Sequence, residues 1–152
     1  MNLSKSTRYA LYAAMEMALA GEEPVTVTGV AERYGIPEGG LSKVFQQLVR
    51  SGIAIGTRGI GGGYRLARPP SKITVQDVIR VLETEREEGR CLLAERYAEP
   101  CVDFPTCRLR RLFDEVDELV RSTFESISLE TLVRGPRLRA SGEPLPAAAS
   151  TR

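Results

Sequence analysis

Two short helical patterns followed closely by a glycine-rich hairpin predict a mainly α protein with a small β-hairpin wing, laid out as a winged helix-turn-helix. The hairpin is the run 53–66, IAIGTRGIGGGYRL, in which two strand-like segments flank a glycine cluster. A later apolar periodicity adds a long C-terminal dimerisation helix. Because the glycines fit neither common nucleotide-binding spacing, a nucleotide-binding loop is the poorer interpretation. Taken alone, the run could also be an ordinary hairpin.

Charge is divided unevenly along the 152 residues, whose net charge is only +1. Residues 1–72 have 9 basic and 5 acidic side chains, which gives +4. Residues 73–133 have 8 and 14, which gives −6, and residues 134–152 have 4 and 1, which gives +3. Because a surface that faces phosphates needs a basic excess, this division favours DNA contact by the segment that contains the hairpin.

The N-terminal apolar run imitates a signal peptide, but Glu16 interrupts it, and the run is interpreted as a first core helix. No apolar stretch reaches the ~18 residues of a transmembrane span, so no membrane partner is expected. The three cysteines are an odd number, which argues against a closed disulfide framework. A cytoplasmic location with reduced thiols fits best.

Capping and periodicity patterns divide the chain into elements. Four helices are predicted over about 4–20, 27–34, 38–51 and 75–83. Thr106 is expected to cap a fifth helix that runs unbroken from Cys107 to about Val133. The predicted divisions are a winged helix-turn-helix domain over 1–84, a cysteine-bearing cluster loop over 85–107, a dimerisation helix over 108–133 and a disordered tail over 134–152.

The third predicted helix has one apolar face and one face of small, amide or basic groups. Its apolar positions are Leu41, Val44, Phe45, Leu48 and Val49. The opposite face lacks acidic groups and suits a major groove, although a plain solvated face is the alternative. The candidate DNA-binding residues of this helix and of the wing are Gly39, Gly40, Ser42, Lys43, Gln46, Arg58, Gly62, Tyr64 and Arg65.

The long C-terminal helix has an apolar seam with alternating steps of three and four residues. Packing on its own domain is one explanation of the seam. A partner helix is the other, because the first 72 residues offer only a small body, and symmetric dimers are the commonest solution. The candidate interface residues are Leu112, Val116, Leu119 and Val120.

Cys91, Cys101 and Cys107 lie in a short loop-like segment between two helices. The helix dipole favours the thiolate of Cys107. Three converging thiolates can hold an iron–sulfur cluster when a fourth ligand is found, or zinc, which needs four ligands. A catalytic cysteine usually needs a neighbouring base, and the chain has no histidine, so no enzyme is predicted. Unligated thiols and a redox disulfide remain open.

Three blocks of sequence are distinctive: LSKSTRYALYA at 3–13, SGIAIGTRGIGGGYRLARP at 51–69 and ITVQDVIRVLE at 73–83. Together with three cysteines before a long helix, they resemble the IscR–NsrR family of bacterial winged-helix regulators, over residues 1 to about 133. The resemblance implies a homodimer crossed through the long helix, with double-stranded DNA read by the third helix and the wing. In many members the three cysteines hold an iron–sulfur cluster, [2Fe-2S] or [4Fe-4S].

Two departures from the family pattern concern the cluster. The gap of nine residues between the first two cysteines makes the loop bulge. Family members place a histidine where this chain has Arg110, or an acidic ligand from the partner where it has Arg8, and arginine cannot ligate iron. The remaining candidates for a fourth ligand are an exogenous thiol or water, or Glu95, Glu99, Asp103, Glu16, Tyr9 and Tyr12.

The sequence therefore predicts a homodimeric transcription regulator, a repressor or an activator, that binds palindromic DNA under control of an iron–sulfur cluster. Such a protein would sense redox state, nitric oxide or cluster supply. One alternative is a cluster-free regulator controlled by thiols or by a protein partner. Another is a cluster-carrying interaction protein that does not bind DNA.

Overall fold

The computed structural model describes residues 3–83 and 106–134, and it confirms a mainly helical fold with a two-stranded wing. The predicted tail and two of the cysteines, Cys91 and Cys101, lie outside these residues. The helices are α1 (Lys5–Ala20), α2 (Val27–Tyr34), α3 (Glu38–Arg50), α4 (Val75–Leu82), α5 (Arg108–Ser126) and α6 (Leu129–Arg134). The strands are β1 (Ala54–Thr57) and β2 (Gly63–Leu66), and a 3-10 turn covers Pro70–Lys72.

Helix α1 lies at the centre, where small side chains on its inner face let other helices approach closely. Ala10, Ala13 and Ala14 are fully buried, and α1 packs against α3, α4 and α6. The helix begins after Ser4, whose hydroxyl accepts the amide hydrogen of Thr7, as the capping pattern predicted. α1 therefore fixes the other helices relative to one another.

Helices α2 and α3 form the predicted helix-turn-helix. α2 is capped by Thr26 and closed by Gly35, whose left-handed φ of 64° lets the chain turn at once into α3. Val49, predicted to face inward, is half-exposed at the end of α3 instead. The buried face of α3 consists of Leu41, Val44, Phe45 and Leu48.

The long C-terminal helix is not continuous, which corrects the prediction of one helix to Val133. α5 ends at Ser126 and begins after Cys107, which occupies the capping position assigned to Thr106. Between α5 and α6 the backbone is extended and pairs with the start of α4. The Val75 amide donates to the Ile127 carbonyl at 2.9 Å, and the Leu129 amide donates to the Ile73 carbonyl at 2.8 Å.

This pairing requires an extended residue at Ile127, with φ −103° and ψ 109°, which a continuous helix cannot supply. Leu129 is 0% exposed and belongs to the core beside α1. The end of the chain's described part thus packs on the body formed by α1 and α4. None of the helices within the described ranges combines the length and hydropathy needed to cross a bilayer.

Candidate nucleic-acid interface and cysteine site

A cleft of about 520 Å³ opens between the start of α2, the end of α3 and the hairpin. None of its lining residues is acidic, and Arg50 and Arg58 give it positive charge. Val27 and Val49 add an apolar part, which explains the exposure of Val49. We call this region the wing cleft; its lining residues are Thr26, Val27, Gln46, Val49, Arg50, Gly56, Thr57, Arg58, Gly62, Gly63 and Tyr64.

The exposed face of α3 leads into the wing cleft. Gly39, Lys43, Gln46 and Arg50 are exposed and spaced three or four residues apart, so they form one stripe along the helix. Ser42 lies beside the stripe and is half-buried. The stripe brings together three of the predicted contact residues and adds Arg50.

The cations of this surface have no carboxylate partner in the part of the chain that the structure describes. Lys43, Arg50 and Arg58 have no carboxylate within 4.0 Å among residues 3–83 and 106–134. In contrast, the described arginines of α5 that form ion pairs do so along their own helix. Exposed cations of this kind are available to phosphate groups, because no ion pair within residues 3–83 and 106–134 has to break first.

Glu38 corrects the prediction that the exposed face of α3 is free of acidic groups. It is the first residue of α3, is exposed and lies one turn before Ser42 on the same side. Its carboxylate is favoured by the N-terminal dipole of the helix. In a major groove it can accept a hydrogen bond from a cytosine amino group.

Tyr64 joins the wing to the rest of the domain. Its ring stacks on Phe45 with centroids 4.5 Å apart, and it packs over Gly56, where a Cβ atom would lie 3.4 Å from the ring. Its backbone exchanges two hydrogen bonds of 2.8 Å with Val25. Tyr64, a predicted DNA-binding residue, lines the wing cleft and is also a packing residue, a role that the sequence did not indicate.

Gly62 is required by the hairpin itself. A Cβ atom there would lie 2.4 Å from the carbonyl oxygen of Thr57 and 2.8 Å from that of Gly59. Because both neighbours are backbone, the hairpin would have to open to accept a side chain. Gly40, by contrast, would place a Cβ at an ordinary 3.5 Å from the ring of Tyr9.

Arg65 does not line the wing cleft. It follows Tyr64 on β2, so its side chain points to the other face of the hairpin from that of Tyr64. There its guanidinium lies 3.4 Å from the carboxylate of Glu22. The fold therefore separates Arg65 from Arg58, although the sequence grouped the two residues on one wing.

Cys107 is the one predicted cysteine ligand within the described ranges. It precedes α5 at the N-cap position, is partly buried and accepts no capping hydrogen bond on its side chain. Its thiol is therefore not used to cap the N-terminus of α5. Among the described residues no three potential ligands converge, since Cys91 and Cys101 lie outside them.

The buried carboxylate of Glu16, a candidate fourth ligand, is already engaged. It accepts hydrogen bonds from Tyr34 Oη at 2.5 Å and from Arg33 Nη1 at 2.8 Å. Burial and the hydrogen bond to Glu16 raise the pKa of Tyr34 to about 12. Glu16 thus joins α1 to α2, and taking it as a ligand would leave both partners unpaired.

Glu83, the last described residue before Cys91 and Cys101, is held in place by hydrogen bonds. The Glu83 carboxylate accepts hydrogen bonds from the backbone amide of Ser4 at 2.9 Å and from the buried hydroxyl of Thr7 at 2.5 Å. These hydrogen bonds lower the pKa of Glu83, the one from Thr7 most. Glu83 therefore ties the start of the cysteine-bearing segment 84–105 to the N-terminal end of α1.

The far end of α5 is also tied to α4. Arg80 on α4 forms an ion pair with Glu125 on α5 at 2.6 Å, next to the paired backbone of Ile127. The remainder of α5 buries no residue. Its exposed apolar side chains include three predicted interface residues, Leu112, Val116 and Leu119, of which Leu119 is 69% exposed; Val120 is half-buried.

A helix-turn-helix with a hairpin wing, a basic cleft between them and an appended helix define a winged-helix transcription regulator. The chain belongs to the Rrf2 family, described as iron-dependent transcriptional regulators, whose model matches residues 3–135. It is therefore a regulator and not an enzyme, as predicted.

Individual relatives agree with this assignment. The chain is 34% identical over 135 residues to the HTH-type transcriptional regulator IscR of Xenorhabdus nematophila, covering 88% of this chain and 80% of the relative. For IscR of Photorhabdus laumondii the identity is 33% over 134 residues, covering 88% and 79%.

Two solved structures have the same fold. IscR of T. potens superposes with a TM-score of 0.69 at 27% identity, covering 88% of this chain and 87% of that one. CymR, the global cysteine regulator of B. subtilis, superposes with a TM-score of 0.69 at 29% identity, covering 88% and 96%. Both confirm the winged-helix fold that the sequence predicted.

Proposed function

We propose that the chain is a homodimer that binds palindromic duplex DNA, with α3 in the major groove and the wing against the backbone or the minor groove. The observation that carries this proposal is the run of exposed cations along α3 and the wing cleft, Lys43, Arg50 and Arg58, which pair with no carboxylate among the described residues. A basic concave surface next to an exposed helix face suits a phosphate backbone flanking a groove. DNA as the partner and an odd number of cysteines favour a cytoplasmic location.

The proposed dimer interface is the exposed apolar seam of α5. Leu112, Val116 and Leu119 have no cover within the described chain, and each contributes roughly 1.5–3 kcal/mol when it is fully buried. A second copy of α5 offers the same apolar seam, so an isologous pair would cover both. Two copies of α3 would then face successive major grooves.

We further propose that Cys91, Cys101 and Cys107 hold an iron–sulfur cluster. The family's description as iron-dependent supports this, as does the name IscR of several relatives. Three thiols in a histidine-free chain are the donor set that an iron–sulfur group prefers, and the uncommitted thiol of Cys107 fits it. When bound, the group would supply redox-sensitive thiolate ligation. Cys101→Ala should abolish binding of the iron–sulfur cluster.

The two ends of the cysteine-bearing segment suggest how its ligation would reach DNA. Glu83 holds one end on α1, and Cys107 starts α5 at the other end. Ligation that joins Cys91 and Cys101 to Cys107 would tie the segment to the start of α5, and a pull on that end would rotate α5 about its residues near Ile127, which are hydrogen-bonded to α4. Because half-sites lie about 34–36 Å apart, a small rotation of α5 would change how well both α3 helices fit.

The DNA-binding proposal is tested with a duplex that the wild-type protein selects from a randomised library. Arg50→Ala and Arg58→Ala should each weaken binding and reduce the slope of log K against log salt by about one. Arg111→Ala is the control, because this arginine of α5 pairs with Glu115 away from the wing cleft. Unchanged affinity in both cleft variants would show that the wing cleft does not contact DNA. Failure of the wild type to select any duplex would refute DNA binding.

A second candidate is a cluster-free regulator controlled by thiols or by a protein partner. It is favoured by the likeness to the global cysteine regulator of B. subtilis. Iron and sulfide analysis of protein purified without air distinguishes the two, since only the first proposal requires both elements.

A further inference from the structure

The tip of the wing presents a single apolar side chain to solvent. Ile60 has a relative exposure of 111%, the highest of any large apolar residue among those that the structure describes. It stands between Gly59 and Gly61, whose φ values of 102° and 77° turn the chain on either side of it. A hydrogen bond of 2.9 Å from the Gly62 amide to the Gly59 carbonyl closes this turn. The turn therefore projects Ile60 away from the domain.

No packing contact within residues 3–83 and 106–134 requires an isoleucine at this position, since its side chain is fully exposed. The turn depends on the flanking glycines, and a branched side chain that is fully hydrated adds nothing to the core. The other strongly exposed apolar residues lie on α5, where the proposed dimer covers them. Ile60 lies far along the chain from that seam and next to Arg58, which lines the wing cleft.

We propose that Ile60 enters the DNA minor groove next to the major groove that α3 occupies, and that it thereby selects base pairs flanking each half-site. This inference rests on the proposed DNA binding. The minor groove is about 6 Å wide and is bounded by sugar edges, which suits one aliphatic side chain. Aliphatic wedges of this kind favour steps that unstack easily. The guanine amino group projects into this groove and would obstruct the side chain, so A·T pairs are preferred there.

Ile60 lies next to the wing cleft along the chain, and this position favours the DNA minor groove as its binding partner. Thr57 and Arg58 line the cleft on β1 and just after it, and Ile60 follows them by three and two residues. If a DNA phosphate binds beside Arg58, the tip of the wing lies over the minor groove that is bordered by the same DNA strand. The hairpin cannot withdraw easily, because Tyr64 is stacked on Phe45 and paired with Val25.

The test uses full-length protein and the duplex that the wild type selects. Hydroxyl-radical footprinting first locates the sugars that the wing protects. Pairs at these positions are then changed from A·T to G·C or to inosine·cytosine. Inosine·cytosine has the major-groove face of G·C but lacks the minor-groove amino group. Affinities are measured for wild type, Ile60→Ser and Ile60→Val, with Leu132→Ser on α6 as a matched control at another exposed apolar residue.

Wild type should bind the G·C duplex roughly tenfold more weakly than the A·T duplex, and should bind the inosine·cytosine duplex as tightly as A·T. Ile60→Ser should bind the A·T duplex about tenfold more weakly, lose the flanking footprint and no longer distinguish the three duplexes. Ile60→Val and Leu132→Ser should behave as wild type. Thermal unfolding should be unchanged in Ile60→Ser, because the side chain has no internal packing to lose.

Equal affinity, footprint and base-pair preference in Ile60→Ser and wild type would overturn the inference while leaving the proposed DNA binding intact. A wild type that penalises inosine·cytosine as much as G·C would also overturn it, because the discrimination would then come from the major groove. Failure of the wild type to select any duplex would instead refute the proposed function.

Discussion

The ring of Phe45 on α3 stacks on the ring of Tyr64 on β2, with centroids 4.5 Å apart and planes inclined by 29°. This contact joins the helix proposed to read DNA directly to the hairpin proposed to hold the backbone. Phe45 is fully buried, so the wing is anchored on the core of the domain and not on another loop. The distance between α3 and the wing is therefore set before DNA is met.

Tyr64→Ala should loosen this joint. The loss of stacking and of partly buried ring area should lower the free energy of unfolding by about 2 kcal/mol. Affinity for the selected duplex should fall as well, because the wing would have to be ordered on binding. Denaturant unfolding and fluorescence anisotropy measure the two effects. Tyr64→Phe keeps the ring and should be close to wild type in both; a DNA defect in Tyr64→Phe as large as that of Tyr64→Ala would show that the hydroxyl acts on DNA.

Arg65→Ala should weaken DNA binding less than Arg58→Ala does. The guanidinium of Arg65 leaves the outer face of β2 and lies near Glu22, whereas Arg58 lines the wing cleft. We expect a loss below about threefold for Arg65→Ala, against roughly tenfold and a shallower salt dependence for Arg58→Ala. Anisotropy titrations over a range of salt concentrations measure both. A larger loss for Arg65→Ala would mean that the outer face of the wing is the one that meets DNA.

Replacing Val116 and Val120 together with glutamate should produce monomers. The change places one charge at the exposed Val116 and one at the half-buried Val120 of the apolar seam, and burying both in a dimer would be costly. Sedimentation velocity should show half the wild-type mass, and affinity for the palindromic duplex should be lost. Ser122→Glu is the control, because Ser122 is exposed on α5 outside the seam. If the double variant sediments as a dimer, the apolar seam of α5 is not the dimer interface.

Glu83→Gln should change stability in a pH-dependent manner. The folded-state pKa of Glu83 is lowered from 4.5, so its stabilisation is fully present above pH 4.5 and is lost as the pH falls through the folded value. At neutral pH the variant should be less stable by about 1 kcal/mol, because a neutral amide accepts more weakly from Thr7 and Ser4. Denaturant unfolding from neutral to acid pH should show the two proteins converging. Glu125→Gln, in an exposed ion pair, should show a smaller difference at neutral pH.

The fold was largely predictable because local signals and core packing agree. Thr26 and the pair Thr74 and Asp77 cap their helices as the sequence indicated, since side-chain capping is a local interaction. The break between α5 and α6 was not predictable. Ile127 is apolar and fits the helical periodicity, and only its backbone pairing with Val75, 52 residues earlier, draws it out of the helix.

The candidate site was predictable in part for the same reason. Lys43 and Gln46 follow from the amphipathic spacing of α3, and the structure finds both exposed. Arg65 and Tyr64 were grouped with Arg58 by proximity along the chain. The alternation of side chains along β2 places Arg65 on the other face of the hairpin from Tyr64. The stacking of Tyr64 on Phe45 is a tertiary contact that local sequence does not reveal. Glu38 was missed because it lies one residue before the glycines that drew attention to the face.

Ligation at the three cysteines is proposed to control DNA binding, and comparing the affinity for DNA with and without bound iron tests this control. Protein purified without air is titrated onto its selected duplex before and after the bound iron is removed, with iron and sulfide measured in both samples. Iron and sulfide are expected in the first sample only, together with a change in affinity for the duplex of about tenfold or more between the two samples. Equal affinities, or a protein that holds neither iron nor sulfide after anaerobic reconstitution, would contradict it.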